Sequence, residues 1–223
     1  MTFDRRRFIG AALAAGVAAC TTRSDVLPQA AAPAIPPAPS SRAPLPPVVA
    51  ASERPPLLAE ALAALDSHGI AARDRLVLAD FSLASSEPRF HLVDVAGGAI
   101  QRSWLVAHGS GSDPAHTGVL QSFSNEPGSN ATSRGAYLTA NSYYGKYGRS
   151  QRLIGLDPDN SMALDRAIVL HGAPYVDPAL IAAQGRLGRS QGCFAVELAE
   201  IAPVMDFLGE GRMIYAGKLG LTL

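Results

Sequence analysis

Prolines divide the chain into two unlike parts. Ten of the 17 prolines lie before residue 57, where alanine and serine supply much of the remaining sequence. Proline removes a backbone donor and blocks helix formation, and small side chains bury little apolar surface. Residues 21–56 are therefore predicted to form a semi-extended tether. The folded domain is expected at 57–223, a length that is sufficient for one hydrophobic core.

The first twenty residues (1–20) have the pattern of an export signal. Arg5–Arg7 precede a short apolar run that ends in Val17–Cys20, and this arrangement is typical of a signal peptide with a lipobox. The arginines favour twin-arginine export, although a general export signal also begins with basic residues. We expect Cys20 to be lipidated, which would anchor the protein to a membrane in the cell envelope or periplasm. The alternative is cleavage near Ala19 and release of a soluble protein.

The charge balance argues against a nucleic-acid partner. The formal net charge is zero, and only 6% of the residues are aromatic. A nucleic-acid-binding surface needs clustered lysine and arginine, commonly with aromatic residues among them. We therefore expect no binding to nucleic acid.

Short alternating runs predict a mainly β domain with a few helices (β+α). Strands are expected at 75–80, 90–95, 99–107, 136–140, 167–170 and 212–216. Apolar periodicity and capping residues predict helices at 57–68, 178–184 and 197–208. The region 108–149 is rich in glycine, serine, asparagine and tyrosine, and we expect it to be largely a functional loop.

The stretch 167–196 carries His171 and Cys193, the only cysteine of the predicted domain. A thiol and an imidazole on neighbouring segments are the minimum apparatus for covalent acyl transfer. The helix predicted at 197–208 would place its N-terminus close to the sulfur and lower the thiol pKa. Gly192 would permit a tight turn, Ser190 would hold that turn, and the N–H groups of Gly192 and Cys193 would bind an oxyanion.

These residues resemble the L,D-transpeptidase catalytic domain, in the branch that combines an HG pair with an RSxGC turn. The pair is His171–Gly172, and the turn is Arg189–Cys193, in which Gln191 stands where the wider family usually has histidine. Further similar stretches are 79–82, 122–127, 144–146 and 153–156, so the resemblance covers about residues 74 to 218. It implies a β-sandwich or barrel-like catalytic domain of the L,D-transpeptidase type. It also implies that the Gly172 carbonyl orients the imidazole.

The resemblance further implies an exported peptidoglycan L,D-transpeptidase. In that function Cys193 attacks the bond between the third stem residue and D-alanine, and an amine of a neighbouring stem peptide resolves the thioester to form a cross-link. An L,D-carboxypeptidase or amidase would use the same site with water as the acceptor. A catalytically inactive wall-binding lipoprotein is the third alternative.

Three residues are weaker candidates for substrate binding. Arg189 is able to hold the carboxylate of a stem peptide, although a surface salt bridge would explain it equally well. Arg152 is a further candidate ligand for such a carboxylate. Tyr144 is a candidate for a wall of the substrate groove. No metal or other cofactor is expected, because no pair of histidine or cysteine residues has a usual ligand spacing.

Overall fold

A computed structural model describes residues 55–221. The predicted export signal, Cys20 and the tether up to residue 54 lie outside the described residues. The helices are α1 (Leu58–Ser67), α2 (Pro178–Gln184) and α3 (Ile201–Leu208). The strands are β1 (Arg75–Asp80), β2 (Phe90–Asp94), β3 (Ala99–Trp104), β4 (Gly135–Gly145), β5 (Gly148–Gly155), β6 (Val169–Gly172), β7 (Phe194–Val196) and β8 (Met213–Gly217). Within this part of the chain no helix is long and apolar enough to cross a membrane.

The eight strands form one mixed sheet in the order β3-β2-β1-β8-β4-β5-β6-β7. The pairs β1/β8 and β6/β7 are parallel, and the other neighbours are antiparallel. The predicted mainly β domain with a few helices is therefore confirmed. Two strands, β5 and β7, were not expected from the sequence.

Both faces of the sheet are covered, as β1 shows. Val77 and Ala79 point into the larger core cluster, whereas Leu76 and Leu78 point into a second cluster on the opposite face. Successive side chains of a strand alternate between its faces, and α3 covers the first face while α1 covers the second. Burial on both sides explains why β1 is a continuous apolar run.

The helix expected at 197–208 begins only at Ile201. Pro203 lies in its first turn, and proline is tolerated there because the first amide groups have no partner within the helix. Residues 194–196 form β7, so a strand lies between Cys193 and this helix. The prediction of a helix N-terminus beside the sulfur is therefore wrong.

A long hairpin occupies the last part of the region 108–149, which was expected to be largely a loop. Strands β4 and β5 pair up to Gly145 and Gly148, which leaves Lys146 and Tyr147 as a two-residue turn. Gly148, which follows this turn, adopts a left-handed conformation (φ 74°) that glycine accepts without a steric penalty. Because Ser150 of β5 pairs with His171 of β6, the tip of the hairpin lies beside His171.

Candidate active site

A cavity of about 460 Å³ contains both His171 and Cys193. His171 lies in β6, and Cys193 immediately precedes β7, the parallel neighbour of β6. Both residues therefore face the same space, although 22 positions of sequence separate them. The other side chains with polar or ionisable groups in the lining are Asn130, Tyr147, Asp165, Arg166, Tyr175 and Gln191.

The His171 ring is held by its neighbour in the chain. Its Nδ1 atom lies 2.9 Å from the Gly172 carbonyl oxygen. A carbonyl oxygen only accepts hydrogen bonds, so Nδ1 carries the proton and Nε2 keeps a free electron pair. Burial lowers the pKa of His171, and the bond to Gly172 acts in the opposite direction. The imidazole is therefore neutral near pH 7 and able to act as a base.

The Cys193 thiol is protonated in the resting protein. Burial raises its pKa, whereas a backbone bond to Val169, the positive charge of Arg166 and a bond to its own backbone lower it. The thiol donates to the Ala167 carbonyl oxygen over 3.6 Å. A neutral thiol in the same cavity as a neutral imidazole fits activation of the thiol by a general base rather than a preformed ion pair.

Ser190 holds the turn that carries Cys193. Its hydroxyl donates to the Cys193 carbonyl at 2.7 Å and accepts from the Gly192 N–H at 3.1 Å. The Gly192 N–H is thus engaged within the turn. Glycine is required at this position because φ is 113° and a Cβ atom would lie 2.8 Å from the Ala131 carbonyl oxygen.

Arg189 braces the same turn from outside the cavity. Its guanidinium donates to the backbone carbonyl oxygens of Asp113 and Pro114, and it is not among the residues that line the cavity. The adjacent Ser190 N–H donates to the His108 carbonyl at 2.9 Å. The structure therefore places Arg189 in a structural contact, away from the side chains that face Cys193.

A buried polar network holds His108, whose backbone carbonyl accepts a hydrogen bond from this turn. Arg89 donates to His108 Nδ1 at 2.8 Å, and His108 Nε2 lies 3.5 Å from an Asp113 carboxylate oxygen. All three side chains are almost fully buried. Burial and the positive charge of Arg89 lower the pKa of His108 to about 4. Sequence reasoning missed this network because its members lie on separate segments with no motif spacing.

The tyrosine that reaches the cavity from the hairpin is Tyr147. Its ring stacks on the His171 ring with centroids 4.4 Å apart. Tyr144 is 83% exposed and does not line the cavity. Arg152 also lies outside the lining, with its guanidinium 4.7 Å from the Tyr143 ring centroid. The glycines at 145 and 148 were the sequence signal that could have identified Tyr147 as the residue at the tip.

Arg166 was also missed from the sequence, although it lines the cavity with Cys193. It precedes β6 and lies 27 positions before Cys193, so no local motif connects the two. Within residues 55–221 no group of three or more histidine, cysteine, aspartate or glutamate residues is arranged to hold a metal ion.

Several solved structures are similar to this chain. An L,D-transpeptidase from Mycobacterium smegmatis shares 15% identity, with 65% of this chain and 58% of that chain covered and a TM-score of 0.40. An L,D-transpeptidase from Xylanimonas cellulosilytica shares 17%, with 71% and 69% covered and a TM-score of 0.37. A helical cell shape determining protein from Campylobacter jejuni shares 14%, with 65% and 47% covered and a TM-score of 0.40.

The chain spans less than two thirds of the first of these proteins. No curated protein sequence matches the chain. The L,D-transpeptidase catalytic domain family matches over residues 52–216, which is most of the chain and includes His171, Gly172 and the turn at Cys193. The chain therefore belongs to the L,D-transpeptidase catalytic domain family.

Proposed function

We propose that this protein is an exported L,D-transpeptidase that acts on peptidoglycan stem peptides with Cys193 as its nucleophile. The observation that carries the proposal is the shared cavity. It brings the Cys193 thiol together with an imidazole whose Nδ1 is held by the Gly172 carbonyl and whose Nε2 is free to accept a proton. A nucleophile, a base and a group that orients the base are the parts that covalent acyl transfer requires.

The first half of the reaction forms a thioester. His171 Nε2 accepts the thiol proton, and Sγ attacks the carbonyl that joins the third stem residue, through its L-centre, to the terminal D-alanine. The backbone N–H of Cys193 is the proposed donor to the resulting oxyanion, since the Gly192 N–H is bound to Ser190. The C–N bond then breaks, His171 returns the proton to the departing amine, and D-alanine leaves.

The second half transfers the acyl group to an amine of a neighbouring stem peptide. His171 accepts a proton from that amine, the new amide forms, and the thiol is regenerated. The thioester preserves the free energy of the broken peptide bond, so the reaction needs no nucleotide cofactor. Tyr147, stacked on His171, covers one side of the base and would limit the access of water, which is the competing acceptor.

Product analysis tests this function. The full chain is incubated with disaccharide tetrapeptides, and the products are separated and weighed by mass spectrometry. The expected products are cross-linked dimers formed with loss of D-alanine. The Cys193→Ala variant should form none of them. Shortened monomers alone would assign the chain as an L,D-carboxypeptidase, and no conversion of either kind would favour a wall-binding protein.

We also propose that Cys20 carries a lipid that anchors the enzyme in the cell envelope. The support is the basic start and lipobox-like sequence that precede this cysteine. Metabolic labelling with a fatty acid analogue should mark the wild-type chain and leave Cys20→Ser unlabelled. Equal labelling of both proteins, or of neither, would contradict the anchor.

A further inference from the structure

Arg166 is a positive charge held by neutral hydrogen-bond acceptors. Its terminal nitrogens make four hydrogen bonds, all to neutral oxygens of one loop. These acceptors are the carbonyls of Ser124 and Ala131 and the hydroxyls of Ser129 and Ser133, at 2.5 to 3.2 Å. Among the described residues it forms no ion pair, unlike Arg102, Arg134, Arg149 and Arg212.

These bonds hold the guanidinium beside the nucleophile. The Ala131 carbonyl that accepts from Arg166 lies against Gly192, and a Cβ atom on Gly192 would be 3.3 Å from the Arg166 nitrogen itself. The next residue, Ala167, accepts the thiol hydrogen bond of Cys193. One short segment therefore presents a fixed cation and a hydrogen-bond acceptor to the turn that carries the sulfur.

Among the described residues that line the cavity, no other carries a fixed positive charge. Gln191 is neutral, and burial keeps His171 in its neutral form until it accepts a proton. A charge in a half-buried site needs a nearby counter-charge, because water solvates it poorly there. When the thiol proton moves to His171, the electron pair remains on Sγ, next to the Arg166 guanidinium.

We propose that Arg166 is the counter-ion of the Cys193 thiolate. It is a positioning residue that acts through the nucleophile, and the proposal rests on the function of Cys193 given above. Its positive charge stabilises the sulfur anion during proton transfer to His171, and its four hydrogen bonds fix the place of that charge.

The electrostatics of both partners agree with this geometry. The positive charge of Arg166 acts to lower the pKa of Cys193 against the effect of burial. Burial lowers the pKa of Arg166, while Tyr137 and Cys193 act to raise it in their ionised forms. Glu126 acts on Arg166 through space without forming an ion pair.

The ionisable groups around the sulfur are Arg166 and Asp165 before β6, His171 on β6, Tyr147 at the hairpin tip, Tyr175 after β6 and Tyr137 on β4.

The test measures the thiol directly. The rate of Cys193 alkylation by iodoacetamide is followed by intact mass from pH 6 to 12 in the full chain, with Cys20→Ser as the common background. In Arg166→Gln the midpoint of the pH profile should move upward, and the rate at pH 7.5 should fall on the order of tenfold. An unchanged midpoint in this variant would overturn the proposal.

Two further variants separate the effect of the Arg166 charge from the effect of the hydrogen bonds that arginines make around this turn. Arg166→Lys keeps the charge but cannot make four bonds to the loop, and it should retain the wild-type midpoint. Arg189→Gln removes a different arginine that braces the same turn from outside the cavity, and it should also leave the midpoint in place. If Arg166→Gln does not fold, Arg166→Lys decides: an upward shift in the folded lysine variant would overturn the proposal.

Alkylation and catalysis give independent answers. A shifted midpoint in Arg166→Gln, together with no product from disaccharide tetrapeptides in the wild type, would support the counter-ion and contradict the transpeptidase function. Normal product formation with an unshifted midpoint would support the transpeptidase function and contradict the counter-ion proposal.

Discussion

The Tyr147 ring lies over the His171 ring with a centroid separation of 4.4 Å and an interplanar angle of 23°. Tyr147 belongs to the two-residue turn between β4 and β5, and His171 belongs to β6. The hairpin thus places an aromatic ring against the His171 imidazole. This contact fixes one face of the imidazole and separates it from solvent.

Loss of this contact should slow acylation with little effect on folding. In Tyr147→Ala the imidazole loses its stacking partner, and a small misplacement of a catalytic group is costly, so we expect acylation by a carbapenem to slow about tenfold. Tyr147→Phe keeps the stack and should stay within about twofold of the wild type. Stopped-flow measurement of the acylation rate checks both values.

Tyr144→Ala is the matched control, since this tyrosine lies on the same hairpin but outside the cavity. Its acylation rate should equal that of the wild type. Equal rates for Tyr147→Ala and the wild type would show that the stack plays no part.

Acylation should depend on the neutral form of His171. Burial lowers the pKa of His171 and raises that of Cys193, so the resting pair is imidazole and thiol. The acylation rate should therefore fall only as the pH drops through a midpoint below 6.5, where the imidazole becomes protonated. A normal solvent deuterium isotope effect is expected, because the proton moves in the step of attack. A midpoint above 6.5 without an isotope effect would instead indicate a preformed ion pair.

Stability should decrease in mild acid because three buried histidines resist protonation. Burial lowers the pKa of His91, His108 and His171. The unfolded chain therefore takes up protons below pH 6.5, while the folded chain does so only at lower pH. The free energy of unfolding should be highest above pH 6.5 and fall as the pH is lowered towards 4. For His108, with a folded pKa of about 4, the loss amounts to about 3 kcal/mol.

Urea unfolding at several pH values measures this slope. His108→Asn removes the titrating group but keeps an acceptor for Arg89, so the variant should have a shallower slope between pH 6.5 and 4. An identical slope would show that His108 does not supply the acid sensitivity.

Backbone strain at Ala167 gives a second stability prediction. Ala167 has a φ of 52°, a left-handed conformation that is unfavourable for alanine and easily adopted by glycine. Ala167→Gly should therefore leave the stability unchanged or increase it by up to about 1 kcal/mol. Ala167→Val should destabilise the protein, because a β-branched residue tolerates this conformation poorly. Thermal unfolding that ranks valine above glycine would contradict the assigned backbone.

The sequence predicted the local elements well because their signals are local. The apolar run of β1 and the Asp177–Pro178 start of α2 appear with the expected bounds. The start of α3 was misplaced, because apolar periodicity continued upstream of the point at which Pro203 limits the helix. Strand β7 has only three residues and carries too short a pattern to be distinguished from a turn.

The candidate site was predictable only where a motif joined its parts. His171 and Cys193 lie in one recognisable stretch, whereas Arg166 and Tyr147 reach them through the sheet order and a hairpin tip. Arg189 and Tyr144 were candidates for substrate binding because of their residue type. Arg189, however, braces the turn from outside the cavity, and Tyr144 is exposed to solvent. Which side chains face a cavity depends on strand pairing across long sequence separations, and residue type alone does not report it.

Intact-mass spectrometry after incubation with a carbapenem tests the central claim most directly. The full chain should gain one adduct mass, because the β-lactam carbonyl acylates the Cys193 thiolate. The Cys193→Ala variant should gain none, and Cys20→Ser should behave like the wild type. A folded wild-type chain that remains unmodified, or an adduct that persists in Cys193→Ala, would contradict the assignment of Cys193 as the nucleophile.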